Sequence, residues 1–236
     1  MKKIIHKANE RGIAELGWLH SRFSFSFDQY LDQNKMGFGL LRVLNDDIIE
    51  EGEGFGLHPH NNMEIITILL EGELEHKDTT GTTMVLHPGE VQVMSAGKGL
   101  MHSEFNHSKV EQTKFLQIWI FPKERNITPR YDQRYFGFEN FKNEIRVVAS
   151  GNGTESSLYI HQDAAISIGK FEKGKEVIYK NIFKGNGSYL FVLDGSINFD
   201  DVKLEKRDAV GLFDYDELKF NTSSDASFLI IEVPMN

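Results

Sequence analysis

Of the nine histidines in this 236-residue chain, eight fall in its first half, and three of those belong to a pattern that could hold a metal. His58 and His60, in GFGLHPHNNMEIITILLEG, are two residues apart. Side chains alternate along an extended strand, so both imidazoles point to one face. His102 and Glu104, in GLMHSEFN, repeat that spacing. Two imidazoles from one strand, with an imidazole and a carboxylate from another, make a convergent nitrogen and oxygen donor set. Such a set suits Fe(II), Mn, Ni, Cu or Zn better than Mg or Ca, and one that leaves a coordination position open is catalytic. Glu64 has the parity of both histidines as well, four residues after His60. Spacing therefore leaves the carboxylate open between Glu64 and Glu104. As a non-ligand, Glu64 would fix a histidine tautomer and Glu104 would be a solvated loop acid.

The other histidines read differently. His76 sits beside Lys77 and Asp78 in a polar turn, and His87 precedes Pro88 and Gly89, so both are expected to be structural or exposed. His107 has the wrong parity to share a face with His102. His161, alone in the second half, reads as a satisfied or surface residue. Met63, Met94, Met101 and Phe105 flank the histidine motifs, either lining a pocket beside the metal or filling the core.

The elements that must position these residues are short. GLLRVL, EIITILL, VQVM, FLQIWIF, IRVVAS, AISIGKF, YLFVL, AVGLF and FLIIEV are rich in Ile, Val and Phe and are separated by Gly, Asp or Asn. Runs of that length and composition are strands joined by turns. FDQYLDQ is too short to count as a helix. The two halves also echo one another. ILLEGELEH (68–76) aligns with FVLDGSINF (191–199), setting Gly72 against Gly195, and KFLQIWIFP (114–122) aligns with SFLIIEVP (227–234). The expected architecture is all-β: two tandem barrels, 1–125 carrying the HPH and HSE motifs and 126–236 without them. The polar segment PKERNITPRYDQRYFGFEN (122–140) is the linker.

Bulk properties narrow the function. The chain has no cysteine, which excludes disulfides, thiolate metal sites and a cysteine nucleophile. A net charge of -9 and the lack of a basic stripe argue against direct contact with nucleic acid. No apolar segment approaches the roughly 18 residues of a membrane span, and MKKIIHKANERG leads into no signal-peptide core. The cytoplasm is the expected location, and a monomer the expected state, since two barrels can cover each other's edges.

With these residues in view, the chain resembles the cupin superfamily, whose first motif is G(x)5HxH(x)3-4E(x)6G. Gly52, His58, His60 and Glu64 fit it, while Gly72 comes one residue late. Gly99, His102 and Asn106 match the tail of the second motif, G(x)5PxG(x)2H(x)3N, with Gly97 replacing its proline. More narrowly, HSRFSFSFDQY, MGFGLLRVLNDD, the HPH and HSE segments and LQIWIFP are similar, in order, to the N-terminal domain of the pirin family over most of residues 20–122. The resemblance implies two double-stranded β-helix (jelly-roll) barrels, the second metal-free. It implies one divalent metal, Fe(II) first with Mn, Ni, Cu or Zn as alternatives, held by His58, His60, His102 and Glu104. Glu64 becomes a supporting group.

The implied activity is that of a quercetin 2,3-dioxygenase, opening the heterocycle of a small aromatic flavonol with O2 and releasing carbon monoxide. Glu104 would be the catalytic base for the flavonol hydroxyl. A non-catalytic iron-dependent sensor or transcriptional cofactor, acting through a protein partner, is the alternative. A scaffold or storage barrel has no need of convergent histidines.

Overall fold

Runs such as EIITILL and FLQIWIF are apolar without alternation because their strands are buried on both faces. The structure, a computed structural model, describes residues 1–154, 156–215 and 217–236. Its first large sheet has seven strands in the order Arg130–Tyr135, Glu90–Ser95, Glu64–Glu71, Thr113–Ile120, Leu41–Ile49, Leu19–Phe23 and Gly12–Glu15. A four-stranded sheet, Gly54–His60, Leu100–Asn106, Leu74–Asp78 and Thr83–Leu86, closes over it to form the first barrel. The second barrel repeats the plan. Its large sheet runs Lys2–His6, Ala209–Phe213, Gly187–Asp194, Ala226–Val233, Ala165–Phe171, Glu144–Ser150 and Leu158–Tyr159, and its small sheet Glu176–Tyr179, Leu218–Thr222, Ser196–Phe199 and Val202–Glu205. Helix among the described residues is limited to the 3-10 turns Ala8–Glu10 and Phe138–Asn140. None is long and apolar enough to cross a membrane.

The two large sheets share a core. On Thr113–Ile120, Leu116, Ile118 and Ile120 pack into a cluster that also holds Ile166, Phe191, Leu229 and Ile231 of the second barrel. The alternate residues on that strand face the first barrel's interior, where Phe115 joins Leu19, Leu74 and Leu86. A strand with two buried faces loses its period-2 signature.

The repeat seen in the sequence is a structural one. Gly72 and Gly195 end equivalent strands in the left-handed region, at φ +78° and +75°. A Cβ at Gly72 would lie 2.6 Å from the Gln112 carbonyl, and one at Gly195 1.9 Å from that of Asp225. Only glycine meets both conditions.

The sheets do not divide at residue 125. Lys2–His6 pairs antiparallel with Ala209–Phe213 and so forms an edge of the second barrel's large sheet. Arg130–Tyr135, inside the expected linker, pairs with Glu90–Ser95 at the edge of the first. Each barrel receives an edge strand from the other's stretch of chain. Edge pairing runs through backbone groups, so side chains carry little record of which sheet a strand joins.

Candidate metal centre

The three motif histidines meet at one point. His102 lies opposite His58 in register on adjacent strands of the small sheet. Ring centroids are 4.4 Å apart for His58 and His102, 4.8 Å for His60 and His102, and 4.9 Å for His58 and His60. One ligating nitrogen from each lies within 4.8 Å of the others. Pro59 between them is tolerated because Gly54–His60 is an edge strand.

Hydrogen bonds set the tautomers. His58 Nδ1 is 2.7 Å from the Gly56 carbonyl, which can only accept, so Nδ1 carries the proton and Nε2 is free. For His102 the proton is placed by a relay. His76 Nε2 is 3.0 Å from Asp78 Oδ2, and His76 Nδ1 is 3.4 Å from His102 Nδ1. Against the burial that opposes its charge, hydrogen bonds from Thr80 and His76 hold the Asp78 carboxyl down at about 2. Asp78 therefore accepts from His76 Nε2, leaving His76 Nδ1 to accept from His102 Nδ1. His102 Nε2 is buried and has no hydrogen-bond partner. Burial, then repulsion from neighbouring histidines, brings His60 down to about 4 and His102 to about 3. Neutral imidazoles with free lone pairs turned toward one another fit a divalent metal.

Glu104 stands slightly apart. Its carboxylate groups with His102 and His76, not with all three motif histidines. Gln92 Nε2 donates to one oxygen at 2.9 Å and Gln117 Nε2 to the other at 2.8 Å, with Thr67 Oγ1 3.5 Å from the first. Gln92, Thr67 and Gln117 form one cross-strand row, with Thr67 opposite both glutamines. The equivalent row of the second barrel is Val210, Leu190 and Ile230. Its strands equivalent to Gly54–His60 and Leu100–Asn106 bury Val177, Tyr179, Leu218 and Phe220. Around that row the second barrel is filled mainly by apolar side chains, with the Tyr179 hydroxyl donating to the buried Glu232 carboxylate at 2.9 Å.

Other expected roles change. Glu64 is buried, but its Oε2 accepts from Ser95 Oγ at 2.7 Å and from the His161 backbone N–H at 3.1 Å, across the seam between barrels. The His58 and His102 tautomers are set by Gly56 and His76, and Glu64's hydrogen bonds go to Ser95 and His161, so Glu64 supports the seam. His76 is fully buried and reaches His102, contrary to its expected place in an exposed or merely structural turn. Its signal was present: His76 and Asp78 are two apart, like the HPH and HSE pairs, on the strand beside His102 and Glu104. His87 and His107 are exposed and His161 is partly buried, as their contexts suggest.

A cavity of about 350 Å³ opens beside the cluster, lined by His58, His60, Glu104, Trp119, Phe23 and Phe27 among others. Trp119 meets the His60 ring edge to face at 4.8 Å. None of Met63, Met94, Met101 and Phe105 lines it. Met94 is core with Ile65 and Leu100, and Met101 is exposed. Beyond the motif strands, the lining comes from Leu19–Phe23 and Leu41–Ile49, which precede the motifs, and from Thr113–Ile120, which follows them, brought in by sheet pairing.

Comparison with known proteins identifies the chain. The family model described as Pirin matches residues 6–120, and one described as Quercetinase C-terminal cupin domain matches 147–233. The chain is 41% identical over 230 residues to the quercetin 2,3-dioxygenase of Escherichia coli K12, covering 98% of each. The chain belongs to the pirin family. Its fold is that of two cupin domains. Crystal structures of YhhW from Escherichia coli, and of the bacterial pirin YhhW in complex with nickel(II), each superpose with a TM-score of 0.93 at 40% identity. They cover 99% of this chain, and 98% and 99% of those chains. In this pirin the donor set is that of a single divalent metal.

Proposed function

We propose that this pirin is a metal-dependent dioxygenase that opens the heterocycle of quercetin-like flavonols with O2. The observation that carries the reading is the cluster of three histidines opening directly onto an aromatic-lined cavity of about 350 Å³. That volume falls in the range of small-molecule sites. The quercetin 2,3-dioxygenase of Escherichia coli, 41% identical, supports the choice of reaction.

His58, His60 and His102 would hold the metal, Fe(II) in our reading, with Glu104 completing the set. When bound, the metal supplies charge stabilisation for the flavonol oxyanion and a point of orientation for the reactants. The remaining work falls to the chain. Phe23, Phe27, Leu19 and Trp119 take the planar rings and exclude water. Gln92 and Gln117 orient the Glu104 carboxylate, which accepts the proton of the flavonol hydroxyl as general base. We place the protein in the cytoplasm as a monomer, with no direct contact to nucleic acid.

The test is loss of quercetin absorbance in air by protein of measured iron content, beside His102→Ala and Glu104→Gln. Wild type should turn over, His102→Ala should lose metal and activity together, and Glu104→Gln should keep much of its metal while losing turnover. A fully loaded wild type that leaves quercetin unchanged would overturn the enzyme and favour the sensor.

A further inference from the structure

The cavity beside the histidines carries polar groups that the metal site does not use. Ser21, Asn45 and Asp47 line it, from neighbouring strands that set Ser21 directly opposite Asp47 and Phe23 opposite Asn45. Asn45 and Asp47 share a face of Leu41–Ile49, two residues and thus about 7 Å apart along the strand. Asn45 is 4% exposed and its Oδ1 has no hydrogen-bond partner. Asp47 is 3% exposed and accepts a hydrogen bond from Ser21 Oγ at one oxygen, and a carboxyl group has a second oxygen to offer. Trp119 Nε1, in the same cavity, is also buried without a partner.

Buried polar atoms without partners are rare in folded proteins, because each sacrifices its hydration for nothing. The second barrel carries smaller side chains at the equivalent positions. Pairing of Asn45 with Gln117 and of Asp47 with Phe115 corresponds there to Ser167 with Ile230 and Gly169 with Phe228. At Gly169 the Phe228 ring occupies the space, 2.3 Å from where a Cβ would stand. At the Asn45 position the second barrel keeps only a smaller buried hydroxyl, Ser167, whose Oγ also lacks a partner, and at the Asp47 position it has no polar side chain; Asn45 and Asp47 stand in the wall of the cavity beside the histidine cluster.

We infer that Asn45 and Asp47 form a hydroxyl-recognition subsite, accepting hydrogen bonds from phenolic hydroxyls of the bound ring system and so selecting polyhydroxylated aromatics over bare ones. Ser21 is a positioning residue that fixes the Asp47 carboxyl. The inference rests on the reading that this cavity takes an aromatic substrate, and it adds which edge of that substrate is recognised.

The experiment measures binding without turnover. Protein loaded with Zn(II) is titrated under nitrogen with quercetin and with 3-hydroxyflavone, which keeps the heterocycle's hydroxyl but lacks those on the two benzene rings, following tryptophan fluorescence. Wild type should bind quercetin about tenfold or more tighter than 3-hydroxyflavone. Asn45→Leu and Asp47→Leu, with zinc content unchanged, should each reduce that preference to about twofold or less while still binding 3-hydroxyflavone. A preference that survives in both zinc-loaded variants overturns the inference and leaves the dioxygenase reading standing. If wild type binds neither flavonol, the flavonol reading fails, and catechol against 1,2-dimethoxybenzene becomes the probe pair. A catechol preference lost in the variants then upholds the subsite, and no preference overturns it.

Discussion

At the scale of single residues, the Asp78, His76 and His102 relay is a specific claim about a proton. Replacing His76 by Phe keeps the volume but removes the acceptor for His102 Nδ1–H. Metal affinity should fall about 10- to 100-fold, the loss typical of removing a group that orients a ligand, while the fold persists; competition with a chelator measures it. Asp47 gives a pH signature. Burial pushes its carboxyl up to about 7, partly offset by the Ser21 hydroxyl, whereas in the unfolded chain it titrates near 3.9. Between those values the folded state holds a proton that the unfolded state has released, so stability falls as pH rises through the window. In metal-free protein, Asp47→Asn should remove this slope and raise Tm at pH 8 by roughly 5 °C relative to wild type. An unchanged difference in Tm between pH 5 and pH 8 would show that Asp47 is not the group responsible. The HPH and HSE pairs were legible in the sequence because a two-residue spacing on a strand has one geometric meaning. His76 and Asp78 share that spacing, but Lys77 and the glycine-containing DTTG that follows made them look like a turn.

At the scale of elements, one cross-strand row separates the two barrels. Gln92, Thr67 and Gln117 hold Glu104 in the first, where Val210, Leu190 and Ile230 make plain core in the second. Gln117→Leu would copy the second barrel's solution. It should leave one Glu104 oxygen without its amide donor, costing about 1.5–3 kcal/mol of stability, the worth of a hydrogen bond to a charged group, and weakening metal retention. Urea unfolding and metal analysis report the two effects separately. That strands existed was plain from the sequence. Which way their residues faced was not, since strands buried on both sides show no alternation, and a glutamine within FLQIWIF carries no mark of pointing inward.

At the scale of the whole molecule, the barrels are joined by more than the apolar seam. Asp46, on the first barrel, accepts from Arg207 Nε of the second at 2.7 Å and from Arg11 Nη1 at 3.4 Å, and both guanidinium groups lie over the Phe191 ring. All three charged side chains are largely buried. Asp46→Ala would leave two cations facing each other with no counter-charge. A loss of about 3 kcal/mol is expected, in line with removing one partner of a buried pair, and a Tm within 2 °C of wild type would refute it. The exchange of Lys2–His6 and Arg130–Tyr135 between sheets ties the barrels in a second way, through edge pairing.

The sequence by itself determined the all-β class, the two-barrel repeat with its paired glycines, and the three histidines. These depend on short-range rules: residue type, two-residue spacing, and turns that only glycine allows. The tertiary structure alone decided that Glu64 serves the seam, that His76 serves His102, that Asn45 and Asp47 face the cavity, and that each barrel borrows an edge strand. Those facts depend on which strand lies beside which, and strand pairing joins residues far apart in the chain through backbone hydrogen bonds that side-chain types do not record. GFGLHPH announced a candidate metal site; the sheets decided which side chains surround it.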